Sequence, residues 1–251
     1  MRESDFIVRP EHFLQYLRKD LHLRPAQIRL PRRVVHVFGG DEFRGARRAL
    51  GGKTATWSRW VAIGRAGMVP AAVFRSHIGA PAAVMDLEEM AILGAKEVIA
   101  FGSCGSLVRD LRIGDVVVPT FAVSDEGTSR HYGATRRATP DPALRTAIVA
   151  ACAQRDLPMR EGGVWTIDAP YREHRDRATR LAKRGVISVD MEASALWSVA
   201  RHRGVKAASV FVVSDELGGD GWNPGFNHAN HLEGKRAALR AVVDVLSRRR
   251  G

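Results

Sequence analysis

Short apolar runs rich in β-branched residues recur along the chain, and between most of them apolar residues return every three or four positions. The first pattern is that of strands buried on both faces, the second that of helices resting one face on a core. Strands are predicted at residues 34–38, 69–74, 97–101, 115–119, 163–167, 186–189 and 207–213. Helices are predicted from residue 40 to about 50, from Pro81 to Gly94, and over 141–156, 171–183, 191–203 and about 228–247. Pro81 suits a first helical turn, and Gly94 suits a C-cap. In the last helix Leu232, Leu239, Val243 and Leu246 are expected to share the buried face. This alternation predicts one α/β domain over residues 31–251, in three layers, with a central mixed and largely parallel sheet flanked by helices. Residues 1–30 read as an N-terminal extension, in which 11–19 form a helix that caps the sheet or reaches a neighbour.

Four predicted strands end in small or polar residues: Gly39-Gly40-Asp41, Gly102-Ser103, Asp190-Met191-Glu192 and Ser214-Asp215. Ligands of open α/β sheets sit beyond the carboxyl ends of the strands. If these four strands are neighbours, their ends converge on one cleft.

Composition narrows the class. With 251 residues the chain can bury a core without disulfides or metals, and its two cysteines, Cys104 and Cys152, show no pairing pattern. A reduced, cytoplasmic protein is expected. No run is long enough for a membrane span, and the first ten residues lack the apolar core of a signal peptide. The net charge of +12 is mostly arginine spread along the chain, at Arg32-Arg33, Arg47-Arg48, Arg136-Arg137 and Arg248-Arg249-Arg250. None of these patches is interleaved with aromatics, which argues against a nucleic-acid partner and for a solvated surface or a field that gathers anionic substrates. The nine histidines show no metal-ligand spacing, and neither a dinucleotide nor an NTP loop is present. No metal and no cofactor are expected.

Gly39-Gly40-Asp41-Glu42-Phe43-Arg44 joins a strand to a helix. Glycine lets the backbone approach an anion, the helix start offers free amides, and Arg44 suits a forked contact with phosphate. A tight turn with a surface arginine explains the segment equally well. At Gly102-Ser103-Cys104-Gly105, small residues and a hydroxyl can cradle an oxyanion or the edge of a flat ligand; Cys104 also fits as an inert core thiol. The carboxylates of Asp190 and Glu192 suit a ribose diol, with Met191 packing under a sugar or base. The plain alternative is helix capping by Asp190. Asp215 behind Ser214 can protonate a leaving nitrogen, or can simply cap a turn. His131 either lines a pocket or belongs to a surface loop.

In order, these four segments resemble the nucleoside phosphorylase I superfamily, which holds purine nucleoside phosphorylases, uridine phosphorylases and methylthioadenosine-type nucleosidases. The likeness runs over residues 34–247. It implies the phosphorylase/hydrolase-like fold and a pentosyltransferase that takes a nucleoside and phosphate, the latter as co-substrate. By this resemblance Gly40, Arg44, Gly102 and Ser103 would hold phosphate. Cys104, Gly105, Asp190, Met191 and Ser214 would line the nucleoside pocket, Glu192 would bind the ribose hydroxyls, and Asp215 would act on purine N7. The family builds its sites from two subunits, which implies a homo-oligomer, a dimer or a trimer of dimers, with His12 and Arg59 as candidates for the residues lent to a neighbour. Three positions depart from the pattern. Ala100 stands where the phosphorylases carry an arginine, Pro170 stands near the base-stacking aromatic, leaving Trp165 or Tyr171 to substitute, and His228 stands where a helper arginine is expected. The first departure leaves open a nucleosidase, with Glu42 as a base, and also a non-catalytic nucleoside- or nucleic-acid-binding protein. The loop 126–132 resembles that of uridine phosphorylases, but the Gln-x-Arg pair that reads uracil is missing, so purines are favoured.

Overall fold

Apolar residues alternate between two helical layers along the central strands, and this alternation sets the architecture. The computed structural model describes residues 5–248. The helices are α1 (Pro10–Lys19), α2 (Pro25–Ile28), α3 (Gly40–Ala49), α4 (Ala80–Ile92), α5 (Pro142–Ala153), α6 (Arg175–Ala182), α7 (Ala193–His202) and α8 (Ala229–Ser247). The strands are β1 (Arg33–Val37), β2 (Lys53–Ala55), β3 (Ser58–Ala66), β4 (Val69–Arg75), β5 (Glu97–Ser106), β6 (Val116–Asp125), β7 (Arg137–Ala138), β8 (Met159–Ile167), β9 (Val186–Asp190), β10 (Lys206–Glu216) and β11 (Asn223–Pro224).

All strands join one mixed sheet in the order β11-β10-β6-β8-β9-β5-β1-β4-β3-β2, with β7 on β6. Its centre is parallel, with β4, β1, β5 and β10 side by side. Because β5 pairs with β10 along its length and with β9 at its end, the strands β10-β6-β8-β9-β5 close on themselves. The ends of β5, β9 and β10 therefore meet at the mouth of a closed ring rather than along an open edge.

Val34, Ala72, Val98 and Ala100 face one apolar layer, which α4 and α7 cover. Val35, Val73, Ile99 and Val210 face the other, under α3, α5 and α8. The three layers are as predicted. α1 packs on α4 and buries Leu17, and Ile28 and Leu30 are also buried, so the N-terminal segment rests on the first layer.

Several boundaries differ from expectation. β5 does not stop at Phe101; Gly102-Ser103-Cys104-Gly105 is its last stretch, paired with β10. The helix expected over 171–183 splits into a 3-10 turn, Pro170–Arg172, and α6. The buried stripe of α8 is His231, Ala238, Ala241, Val242, Val245 and Leu246, with Leu239 and Val243 on its flank and Leu232 outside it. Small residues lie against the sheet here because the helix approaches it closely: a Cβ at Gly234 would meet Val212 of β10 at 2.9 Å, and would collide with the Gly114 carbonyl in the turn before β6. The hairpin β3–β4 was not expected. Its turn is Gly67-Met68, with Gly67 at φ +55°, a conformation glycine adopts freely. Among the described residues no helix is long and apolar enough to cross a membrane; Arg249 and Arg250 lie outside them.

Candidate functional site

The end of β5 is the centre of the site. Gly102 lies against Phe38 of the β1 exit: a Cβ there would sit 3.0 Å from the Phe38 ring. Gly105 lies between the other two strands, where a Cβ would stand 3.0 Å from Val189, 3.3 Å from Asp215 Oδ2 and 2.4 Å from Leu217. Three of the four predicted segments thus border one strand end, and the fourth, β1 and its turn, adjoins it.

Asp215 is aimed by a bulge. Cys104 pairs with Val213 and Gly105 with Asp215, so Ser214 is the extra residue. The Ser214 hydroxyl donates to Asp215 Oδ1 at 2.7 Å, with the Cys104 carbonyl 3.3 Å away. Asp215 Oδ2 accepts from the indole N–H of Trp222 at 2.9 Å. Trp222 is 62% exposed and touches Phe226 at 6.2 Å between ring centroids. Sequence reasoning missed this exposed aromatic. The signal available was a tryptophan in the glycine-rich stretch just beyond Ser214-Asp215. It missed Glu173 as well, whose carboxyl is pushed up to about 7 by burial and by Asp215.

The Asp190-Met191-Glu192 junction divides its two carboxylates by role. Asp190 is turned inward. Its Oδ1 accepts from Thr166 Oγ1 at 2.7 Å, and its Oδ2 accepts the backbone N–H groups of Ala193 at 2.7 Å and Glu192 at 3.2 Å. These bonds make it the brace of the α7 start rather than the ligand contact expected from the sequence, and they delay the helix to Ala193. Glu192 is 6% exposed and accepts the Gly79 N–H at 2.6 Å. Burial, then the neighbouring Asp190, pushes its carboxyl up to about 8. Gly79 has φ +109° and ψ 144°, so a side chain at this position would strain the donor that holds Glu192. Met191 is half-buried beside it.

Below this junction, Glu126 gathers the loop after β6. It accepts from the hydroxyls of Ser124 at 2.7 Å and Ser194 at 2.9 Å and from the amides of Thr128 and Ser129. Burial opposes its charge, but the Ser129, Ser124 and Ser194 donors hold its carboxyl below the usual range.

Ser103 has a partner that the sequence did not reveal. Its Oγ lies 3.1 Å from Nε2 of His231, a residue 2% exposed on α8. His231 Nδ1 lies 2.9 Å from the Phe226 carbonyl, which can only accept, so Nδ1 carries the hydrogen and Nε2 accepts from Ser103. Burial lowers the His231 pKa and favours this neutral ring. At the β1 exit, Gly39 caps α3 without a side-chain bond. The Glu42 carboxylate folds back over Gly39 and pairs with Lys235 Nζ at 2.7 Å, so it is buried and neutralised rather than open as a base. Arg44 pairs with Asp41 and is largely exposed.

Other expected residues fall elsewhere. Trp165 is 1% exposed and donates its indole N–H to Asp125 at 2.8 Å, so it is a core residue and not a stacking platform. Tyr171 is 99% exposed, and His131 is exposed on the 3-10 turn Ser129–Tyr132. Cys104 is buried; burial, then Asp190 and Asp215, raises its thiol well above the ordinary value, as for an inert core thiol. His228 is the exposed N-cap residue of α8, and its charge acts on Glu216. His12 lies on α1, where Nδ1 accepts the Arg9 N–H, and Arg59 lies over Trp60 at 4.7 Å. Among the described residues no three His, Cys, Asp or Glu side chains gather as metal ligands.

The chain matches the family model of the phosphorylase superfamily over residues 49–247, a stretch that begins just after the turn carrying Gly40 and Arg44. Among curated proteins it is similar to a guanosine phosphorylase of Halorubrum lacusprofundi, 31% identical over 56% of this chain and 58% of that one. It is also similar to a DeoD-type purine nucleoside phosphorylase of Bacillus cereus, 34% identical over 49% of this chain and 54% of that one. The alignments thus span about half the length of these curated relatives. Two solved structures share the fold. A purine nucleoside phosphorylase from Toxoplasma gondii in complex with immucillin-H superimposes with TM-score 0.77 at 21% identity, over 90% of this chain and 93% of that one. A uridine phosphorylase from Vibrio fischeri gives TM-score 0.77 at 23% identity, over 88% and 93%. With four fifths of its length matched by the family model, the chain belongs to the phosphorylase superfamily.

Proposed function

We propose that the protein is a purine nucleoside phosphorylase, cleaving the N-glycosidic bond of a nucleoside with phosphate to give the free base and ribose 1-phosphate. The observation that carries this reading is the position of Gly105, in contact range of both Val189, which leads to Glu192, and Asp215. A base held beside this strand end would have Asp215 at one edge and Glu192, three residues beyond Val189, for its sugar.

In this mechanism Glu192 accepts hydrogen bonds from the ribose hydroxyls, whose arrival favours its charged form. The bond from the anomeric carbon to the base breaks with its electron pair leaving on the purine. A phosphate oxygen held by Gly40, Arg44 and Ser103 forms the new bond on the opposite face. Asp215 gives a proton or a hydrogen bond to N7, which neutralises the leaving base; such help contributes about 10²–10⁴-fold in rate. No cofactor enters these steps. The guanosine and purine phosphorylases among the relatives support the purine assignment, as does Asp215 itself.

A second reading has a specific observation behind it. Ala100 is 3% exposed in the apolar layer, so β5 brings no cation to the phosphate, as suits a nucleosidase of the same fold. Base release from inosine, adenosine, uridine and methylthioadenosine, each with and without phosphate, separates the readings. Phosphate-dependent release of a purine is expected. Equal release without phosphate would make the protein a nucleosidase, and release from uridine alone would make it a pyrimidine enzyme.

The site as proposed is shared between subunits, with His12 and Arg59 reaching a neighbour. Gel filtration is expected to give a dimer or a trimer of dimers. A protein that is active while purely monomeric would remove the roles given to those two residues.

A further inference from the structure

A phosphate dianion bound at the β1 exit needs more positive charge than that exit supplies by itself. Arg44 is paired with Asp41, Lys235 is paired with Glu42, and β5 offers only the buried Ala100. The strand on the far side of β1 supplies what is lacking. Arg75 is the last residue of β4, in register with Val37, and the next amide, that of Ser76, donates to the Val37 carbonyl at 2.8 Å. This pins the Arg75 backbone directly beside the turn that leads to Gly40.

Its side chain reaches over that turn. The point where a Cβ of Gly40 would stand is 3.8 Å from Arg75 Nη1 and 3.2 Å from Arg44 Nη1. The two guanidinium nitrogens are therefore at most about 7 Å apart, both close to one bare Cα at a helix start. Trp60 lies under the Arg75 guanidinium at 4.2 Å. Stacking of this kind holds the plane of the fork while leaving its N–H edge free to bind. Among the described residues no carboxylate pairs with Arg75. Two like charges drawn to one glycine repel each other unless an anion joins them.

We infer that Arg75 is a phosphate-binding residue, closing with Arg44 on an anion seated at Gly40, and that it takes over the charge that β5 does not provide. This rests on the phosphorolytic reading above and adds to it a residue from a different strand. The absence of a Cβ at Gly40 leaves room for an oxygen within reach of both forks.

Isothermal titration calorimetry with inorganic phosphate on the purified protein tests it directly, alongside steady-state kinetics on a purine nucleoside. Arg75→Ala is expected to weaken phosphate binding and raise the phosphate KM at least about tenfold, with the nucleoside KM within about twofold of wild type. Arg75→Lys, which keeps the charge and loses the fork, is expected to fall between them. If Arg75→Ala unfolds by circular dichroism, Arg75→Gln and Arg75→Lys carry the same comparison. Unchanged phosphate affinity in these variants, with loss in Arg44→Ala, would overturn the role of Arg75 and leave phosphorolysis standing. A wild-type protein that releases base but neither binds nor uses phosphate would overturn phosphorolysis and this inference together.

Discussion

Asp215→Asn is expected to lower kcat/KM on inosine by about 10²–10³-fold, chiefly through kcat, with little change in the phosphate KM. Asparagine keeps a carbonyl that can accept from the Ser214 hydroxyl, now bonded to Asp215 at 2.7 Å. It has no acidic proton to transfer to N7, only a neutral amide N–H, and that amide can present a second donor to the Trp222 indole N–H that now points at Oδ2. The leaving purine must then depart as an anion, with at most a neutral hydrogen bond in place of a transferred proton. The sharper measurement uses 7-methylinosine, whose N7 carries a methyl group and a positive charge and so needs no proton in order to leave. The variant should retain most of its activity on that substrate. Equal losses on inosine and 7-methylinosine would show that Asp215 orients the base or supports the fold, and the general-acid role would fail.

The general plan of the fold, and the meeting of the strand ends, were readable in the chain because each rests on local pattern. Strands buried on both faces are apolar runs whatever their neighbours, and the strand ends Gly102-Ser103, Asp190-Met191-Glu192 and Ser214-Asp215 announce themselves where such runs stop. Asp190 is turned inward instead, bracing the strand-to-helix junction two residues before the Glu192 N-cap, since Thr166 and two amides occupy its oxygens. What escaped depends on contacts between distant positions. Ser103 meets His231 across 128 residues, and nothing near either one signals the other. β3 was missed because Arg59, Gly64 and Arg65 interrupt its apolar residues, although Val61 and Ala62 are buried in opposite apolar layers. Trp165 and Trp222 look alike in sequence. Only the packing shows the first to be 1% exposed in the core and the second 62% exposed beside Asp215.

Glu192→Gln is expected to make the protein more stable and nearly inactive. The free Glu192 carboxyl is pushed up to about 8 from an ordinary value of 4.5, first by burial and then by Asp190. In the folded protein it therefore resists ionisation over a range in which the unfolded chain ionises freely. Its contribution to stability is fully present below about pH 4.5 and is lost progressively as pH rises toward about 8. Glutamine stays neutral throughout and keeps an oxygen for the Gly79 N–H, now 2.6 Å from the carboxylate. At pH 8 the variant should gain on the order of 3 kcal/mol, or roughly 5–10 °C in melting temperature, and at pH 5 the gain should nearly vanish. Catalysis moves the other way. A carboxylate accepts from two ribose hydroxyls, whereas an amide offers one acceptor and one donor, so kcat/KM for the nucleoside should fall by about 10²-fold. Thermal melts at the two pH values, together with nucleoside kinetics, decide the matter. A variant less stable than wild type at pH 8 would mean that the charge of Glu192 supports the empty fold. A stable variant with full activity would mean that the ribose is held by some other group. The expected combination places the cost of Glu192 in the empty site and its return in the bound nucleoside, where the hydroxyls supply the partners that the buried carboxylate lacks.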